Sequence, residues 1–190
     1  MRKLIVSEFV TLDGVMEAPG GEPTHPHSGW VFDFMSEEQQ QYKLQETLEA
    51  EALLLGRVTY EGFAAAWPER DGEFADKMNS MPKYVASTTL SGAGLEWSNS
   101  QVIEGDVVAG VRRLKEEVGG PILVAGSQTL VHTLIGAGLV DELRLMVFPV
   151  LLGSGKRVFP SDSPDKTALK LADSQTFESG VVVLTYHPDA

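Results

Sequence analysis

Gly56, Arg57 and Thr59 follow the apolar run Ala52-Leu53-Leu54-Leu55, so that a strand ends on glycine where the next helix is expected to begin. Such a junction can seat a phosphate. The first turn of a helix has free N–H groups and a partial positive charge, glycine lets an anion approach the backbone, and Arg57 can add a bidentate contact. A second junction of the same kind, Ala125-Gly126-Ser127-Gln128-Thr129, again carries hydroxyl and amide donors in the first turn of the following helix. The strand end Ser87-Thr88-Thr89 offers hydroxyls for a further phosphate or an adenosine edge. Taken singly, each junction also reads as ordinary architecture, with glycine for close helix–sheet packing and Ser or Thr as a helix cap. Taken together, three polar strand ends along one edge of a mostly parallel sheet match the rule that ligands bind outside the carboxyl ends of such strands, and two seats suit a dinucleotide. The usual nucleotide signatures are absent: no G-x-G-x-x-G follows the first strand, and Gly153-Ser154-Gly155-Lys156-Arg157 lacks the earlier glycine and the final Ser or Thr of a P-loop.

Other residues carry chemistry less specifically. Asp33 is a candidate proton donor, with a surface acid ahead of a helix as the alternative; Asp13 either orients a substrate or serves the Asp13-Gly14 turn. Trp67 can wall a flat heterocycle or belong to the core, and Leu151 lies in a loop, residues 150–153, that can close a substrate pocket. His25 and His27 flank Pro26, but two histidines without a third ligand do not make a metal site, and no metal is expected. Lys156 and Arg157 either contact a phosphate or form a solvated basic turn.

The elements that must position these residues alternate. Residues 4–10 form a first strand that runs into the turn Thr11-Leu12-Asp13-Gly14, and residues 17–30, rich in Pro, Gly and His, form a surface loop. Ser36 and Gln39 have capping-box spacing and open a helix to Glu49. The strand Ala52–Gly56, a short helix from Thr59 and a second one over Glu73–Ser80 follow, and then a strand over residues 83–87 and a short one over 101–104. Asp106 caps a helix whose apolar positions Val107, Val108, Val111, Leu114 and Val118 keep the helical period until Gly119-Gly120. Residues 121–126 form a strand apolar on both faces, Ser127 caps the helix carrying Leu130, Val131, Leu134 and Ile135, and residues 142–150 form a long strand. Residues 169–177 and 181–187 close the chain as a hairpin, which implies a mixed α/β sheet with an antiparallel edge.

The chain has 190 residues, 43% of them hydrophobic, the size of one domain spanning residues 1–190. A net charge of −12 argues against nucleic acid or an anionic membrane as partner, while a few arginines and helix ends can still hold an anionic cofactor. The absence of cysteine excludes disulfides, a thiolate nucleophile and Cys-ligated metal, and with no signal peptide or membrane span the expected location is cytoplasmic.

Five segments, in order, resemble one family: Gly56-Arg57-Val58-Thr59-Tyr60-Glu61, Lys83-Tyr84-Val85-Ala86-Ser87-Thr88-Thr89-Leu90, Gly126-Ser127-Gln128-Thr129-Leu130, Leu139-Val140-Asp141-Glu142-Leu143, and the stretch from Pro149-Val150-Leu151-Leu152 to Val158-Phe159. They look like the dihydrofolate-reductase-like family related to the reductase domain of the bifunctional riboflavin-biosynthesis enzyme, and they cover nearly the whole chain. The resemblance implies a three-layer fold around an eight-stranded mixed sheet, NADPH as cofactor and a homodimer. It assigns Gly56, Arg57, Val58 and Thr59 to the cofactor phosphates, Ser87, Thr88 and Thr89 to the adenosine 2′-phosphate region, and Gly126, Ser127, Gln128, Thr129 and Leu130 to the pyrophosphate and nicotinamide ribose. The 11–14 loop is expected over the nicotinamide. Without cysteine or a deaminase domain the chain corresponds to a stand-alone reductase domain. The expected function is hydride transfer from NADPH to a small heterocyclic or carbonyl/imine substrate, pterin-like or ribosylaminopyrimidine-like; the alternative is an NADP(H)-binding module or sensor without turnover.

Overall fold

The computed structural model describes residues 1–160 and 166–189, and its eight strands form one sheet. Along the chain come β1 (Leu4–Thr11), α1 (Glu37–Glu49), β2 (Ala52–Gly56), α2 (Arg57–Ala66), α3 (Glu73–Ser80), β3 (Lys83–Ala86) and β4 (Ser100–Val102). They are followed by α4 (Val107–Glu116), β5 (Ile122–Val124), α5 (Gln128–Gly136), β6 (Glu142–Phe148), β7 (Leu169–Thr176) and β8 (Val182–Pro188). The spatial order is β4-β3-β2-β5-β1-β6-β8-β7. Every pairing from β4 across to β6 is parallel, whereas β8 pairs antiparallel with both β6 and β7, which gives the expected mixed sheet with an antiparallel edge.

The central strands are buried on both faces because their apolar residues alternate between two cores. Ala52, Leu54, Ile122 and Val124 pack with Val111 and Leu114 of α4 and Leu130, Val131 and Leu134 of α5. Leu53, Leu55 and Leu123 point the other way, onto Tyr60 of α2 and Met78 of α3. A third cluster joins Trp30 and Val31 to Met146, Phe148, Val181 and Val183, with Tyr42 of α1 against it. Helices therefore cover both faces, and the sheet is the middle of three layers.

This arrangement sets up the functional edge. From β2 the chain continues through α2 and α3 to β3 on one side; from β5 it continues through α5, past β1, to β6 on the other. Strand order reverses between the neighbours β2 and β5, so α2 and α5 leave adjacent strand ends toward opposite faces, and a crevice opens between their first turns.

Several expected boundaries shift. The helix after β2 begins at Arg57 rather than Thr59, because Gly56 with extended φ/ψ already acts as its N-cap. α4 stops at Glu116, and Val118 beyond it is fully solvent-exposed, so its apolar character serves no core. Ser87 lies past the end of β3, and β6 ends at Phe148. The capping box of α1 forms as expected, with Ser36 Oγ accepting from Gln39 N and Gln39 Oε1 accepting from Ser36 N. Among the described residues no helix is long and apolar enough to cross a membrane.

Candidate functional site

The two strand-glycine-helix junctions meet. Gly56 donates its N–H to Ser127 Oγ at 2.8 Å, and a Cβ added to Gly56 would stand 3.3 Å from the Ser127 Cβ. Gly126, with φ +60, packs against Thr59: a Cβ there would lie 3.1 Å from both Thr59 Cγ2 and Oγ1. Each glycine thus makes room for the other junction's hydroxyl residue, and both adopt their positions because a side chain would push the two helix starts apart.

Ser127 does not cap α5 as its position suggests. It takes a left-handed conformation, φ 64 and ψ 49, makes no side-chain bond to the helix, and turns its hydroxyl to Gly56. Consequently the first turn of α5 has no side-chain cap and no acidic residue; α2, starting on Gly56, has neither as well. These are two open, partially positive helix ends side by side at the reversal of strand order, the arrangement that attracts anions.

The remaining residues around these ends fall into place unevenly. Arg57 is exposed and ion-pairs with Glu61 one turn on, at 3.0 Å, and Val58 is exposed. Gln128 Nε2 donates to the Arg157 carbonyl at 3.1 Å, and Thr129 is exposed. The Leu130 side chain is buried in the core with Val131 and Leu134, so only its backbone belongs to the helix start. At the end of β3, next to β2, Ser87 Oγ accepts the N–H groups of Thr89 and Leu90 at 3.1 and 2.9 Å, which shapes a tight turn and leaves the Thr88 and Thr89 side chains exposed.

The loop after β1 is rigidly clamped. Asp13 accepts from Thr11 Oγ1 at 2.6 Å, from Gly153 N at 2.7 Å and from Leu152 N at 3.3 Å, while Arg157 Nη1 donates to the Asp13 carbonyl. The Thr11 hydrogen bond, helped by the backbone donors, holds the Asp13 carboxyl below its ordinary range. An ionised carboxylate with its oxygens already accepting is a brace joining the 11–14 and 150–153 loops. Exposed Leu12 and Leu151 sit on these two braced loops, linked by the Leu12 N–H to the Val150 carbonyl at 3.0 Å. Asp33 is exposed beside the buried pair Trp30 and Val31.

Trp67 is half-buried. Its ring packs on Phe63 and Phe74, with Arg70 stacked over it 4.7 Å from the centroid, as part of the α2–α3 cluster. His25 and His27 face each other with centroids 5.8 Å apart; His25 Nδ1 accepts from His27 N, which leaves Nε2 to donate to the Ser154 carbonyl. Among the described residues no cluster of three His, Cys, Asp or Glu could hold a metal.

One residue at this edge escapes the motifs. Glu8 of β1 is 4% exposed, and its Oε2 accepts the Gly126 N–H at 2.9 Å, while Oε1 is buried without a hydrogen-bond partner among the described residues. Burial, the largest influence, pushes its carboxyl well above the ordinary range, with Glu46 adding to the rise and the Gly126 N–H and Lys43 opposing it. The signal was available: Leu4, Val6, Glu8 and Val10 share one face of the strand by alternation, and three of the four are apolar core.

Comparison with known proteins matches one family over most of the chain. A family model described as the RibD C-terminal domain matches residues 2–183. The uncharacterized protein YyaP of Bacillus subtilis (strain 168) is 32% identical over 98% of this chain and 95% of its own length. Among solved structures, a protein ascribed to riboflavin biosynthesis in Shewanella sp. PV-4 superposes with a TM-score of 0.75 at 18% identity, covering 99% of each chain. The diaminohydroxyphosphoribosylaminopyrimidine deaminase/5-amino-6-(5-phosphoribosylamino)uracil reductase of Thermotoga maritima superposes with a TM-score of 0.69 at 15% identity, over 99% of this chain but only 57% of that one.

Proposed function

The chain belongs to the RibD C-terminal domain family, a family of pyrimidine reductase-like oxidoreductases with the dihydrofolate-reductase-like fold, and from that premise we propose that it is an NADPH-dependent reductase of a small heterocyclic or carbonyl/imine compound. The observation that carries this reading is the pair of uncapped, acid-free helix starts locked together at the reversal of strand order. A dinucleotide brings two linked phosphates to two adjacent seats, and glycines at 56 and 126 keep the backbone accessible to both.

In this reading the N–H groups at the start of α2, with Arg57, Val58 and Thr59 around them, hold one part of the phosphate chain. Ser127 to Leu130 present the backbone donors of α5 to the pyrophosphate and ribose, and Ser87, Thr88 and Thr89 border the adenosine 2′-phosphate. When bound, NADPH supplies a hydride from C4 of its nicotinamide. The braced 11–14 and 150–153 loops place the apolar side chains of Leu12 and Leu151 beside the reacting rings, where they exclude water. A pterin-like or ribosylaminopyrimidine-like substrate suits a pocket of this kind, and the reductase half of the Thermotoga enzyme supports the second class.

The test is binding first and turnover second. NADPH is expected to raise the melting temperature, and no shift at saturating concentration overturns the reading. Arg57→Ala is expected to weaken NADPH more than NADH if the arginine serves the 2′-phosphate; an equal loss assigns it to the pyrophosphate. The second reading, an NADP(H)-binding module or sensor without turnover, is favoured by one observation: Asp13 is committed as an acceptor, so no motif acid stands ready to give a proton. Oxidation of NADPH in a panel of pterins, diketones and imines decides between the two.

For the assembly we propose a homodimer in a cytoplasmic setting. β7 lies at the edge of the sheet with all eight residues exposed, Leu169 and Leu171 among them, and an open strand edge of this length invites a second strand. A monomeric mass by light scattering at micromolar concentration overturns it.

A further inference from the structure

A buried carboxyl beside an anion seat is a contradiction unless it carries no charge. Glu8 sits in that place. Its Oε2 holds the N–H of Gly126, the glycine that opens the second seat, and its Oε1 has no partner among the described residues. Gly126 takes a left-handed conformation freely, but Ser127 takes one too, so the turn that aims the α5 donors contains strained backbone that must be held from outside. Two bonds hold it: Gly126 N–H to Glu8 on one side and Gly56 N–H to Ser127 Oγ on the other.

We propose that Glu8 is a positioning residue for the dinucleotide, a neutral carboxylic acid that fixes the Gly126–Ser127 turn while sparing the seat a negative charge, and whose ionisation weakens the binding of any phosphate there. This rests on the reading of α5 as a cofactor seat. With Oε2 accepting from Gly126, the proton belongs on Oε1, and the neutral group satisfies the turn without repelling a phosphate.

The charged groups around Glu8 do not compensate an ionised form. β2 and β5 present only apolar side chains toward the core it shares, and the first turn of α5 carries no acid or base, its next titratable residue being half-buried His132, bonded to the Arg157 carbonyl. Behind the sheet on α1 lie Lys43 and Glu46, which pair with each other and, through Glu46, with Arg144 of β6. Lys43 is thereby committed, and Glu46 opposes a second negative charge. Burial raises the titration of Glu8 well above the ordinary range, in agreement with this placement.

The test follows the affinity for NADH, which lacks the 2′-phosphate and its own titration near neutrality, from mildly acidic to alkaline pH by calorimetry. The wild type is expected to lose about tenfold in affinity as pH rises. Glu8→Gln keeps an acceptor for Gly126 N–H but cannot ionise, so its affinity is expected to match the wild type at acidic pH and stay level. Glu8→Leu, which removes the acceptor, is expected to bind about tenfold more weakly at every pH, also with a level profile. In the ligand-free protein, the Gly126 amide resonance should move with pH in the wild type and stay fixed in Glu8→Gln. A level wild-type profile, or a Glu8→Gln profile that falls like the wild type, overturns the proposal while leaving the cofactor reading intact. If no dinucleotide binds at any pH the cofactor reading is overturned, and a Gly126 amide that ignores pH in the wild type overturns the neutral-acid assignment on its own.

Discussion

α1 begins on Ser36 with a complete capping box and with Glu37 and Glu38 in its first turn, and α4 begins on Asp106, whose Oδ1 accepts the Ala109 N–H at 2.8 Å; α2 and α5 begin on Gly56 and Ser127 with no side-chain cap and no acid. The chain carries 27 acidic residues against 15 Lys and Arg, so acids are plentiful enough to meet every helix start. At the other starts the chain supplies a cap or an acid itself: α3 begins on Gly72 without a side-chain cap but carries Glu73 and Asp76 in its first turn. The two starts with neither cap nor acid are the neighbours at the reversal of strand order, and there the N-cap hydroxyl of Ser127 is spent on joining them. The contrast separates ends built for stability from ends kept for a ligand.

That contrast can be broken by closing an open end. Thr129→Glu places an acid on an exposed first-turn position of α5, where the helix dipole favours it by about 0.3–1 kcal/mol. A phosphate at the seat is expected to be disfavoured by about 2 kcal/mol, roughly thirtyfold in NADPH affinity. Calorimetric affinity equal to wild type would mean that α5 holds no anion. Ser127→Ala removes the acceptor of the Gly56 N–H and is expected to cost about 1–2 kcal/mol of stability in chemical denaturation, together with a weaker cofactor. Ser36→Ala at the closed end is expected to cost about 1 kcal/mol of stability and to leave NADPH affinity unchanged; a loss of affinity would erase the distinction between the two kinds of end. The smallest effect belongs to Glu61→Gln, which frees exposed Arg57 from its partner: about 0.3–0.5 kcal/mol less stability and about a twofold gain in affinity that fades with salt.

Features of the fold set by neighbouring residues were legible in the sequence. The capping box at Ser36 and Gln39, the Asp106 cap, and the unbroken apolar runs of β2 and β5 are local patterns, and the structure follows them. The positions of the three polar strand ends were legible as well, since each is a strand followed by glycine or hydroxyl residues. Where tertiary contact decides, local pattern failed. Ser127 has the residue type of an N-cap, yet the N–H of Gly56 takes its hydroxyl. Leu130 belongs to the motif, but helical period turns its side chain inward. Asp13 reads from its neighbours as a turn residue or a substrate-orienting acid, whereas the amides of Leu152 and Gly153 converge on it from the far end of the chain. Trp67 was ambiguous until Phe63, Phe74 and Arg70 enclosed its ring. Glu8 went unread because an acid in a first strand resembles any solvent-facing position until the alternation is counted.

The bond between Gly56 and Ser127 joins residues 71 positions apart in the chain. Contacts of such long range form late in folding, because the entropy of closing the intervening loop must be met before they return anything. A fragment ending before β5 has one helix start without its neighbour, and an intermediate with β2 and β5 still unpaired has none properly aimed. A dinucleotide that needs both starts therefore distinguishes the finished chain from everything that precedes it, and added early during refolding it should slow unfolding without hastening the first collapse.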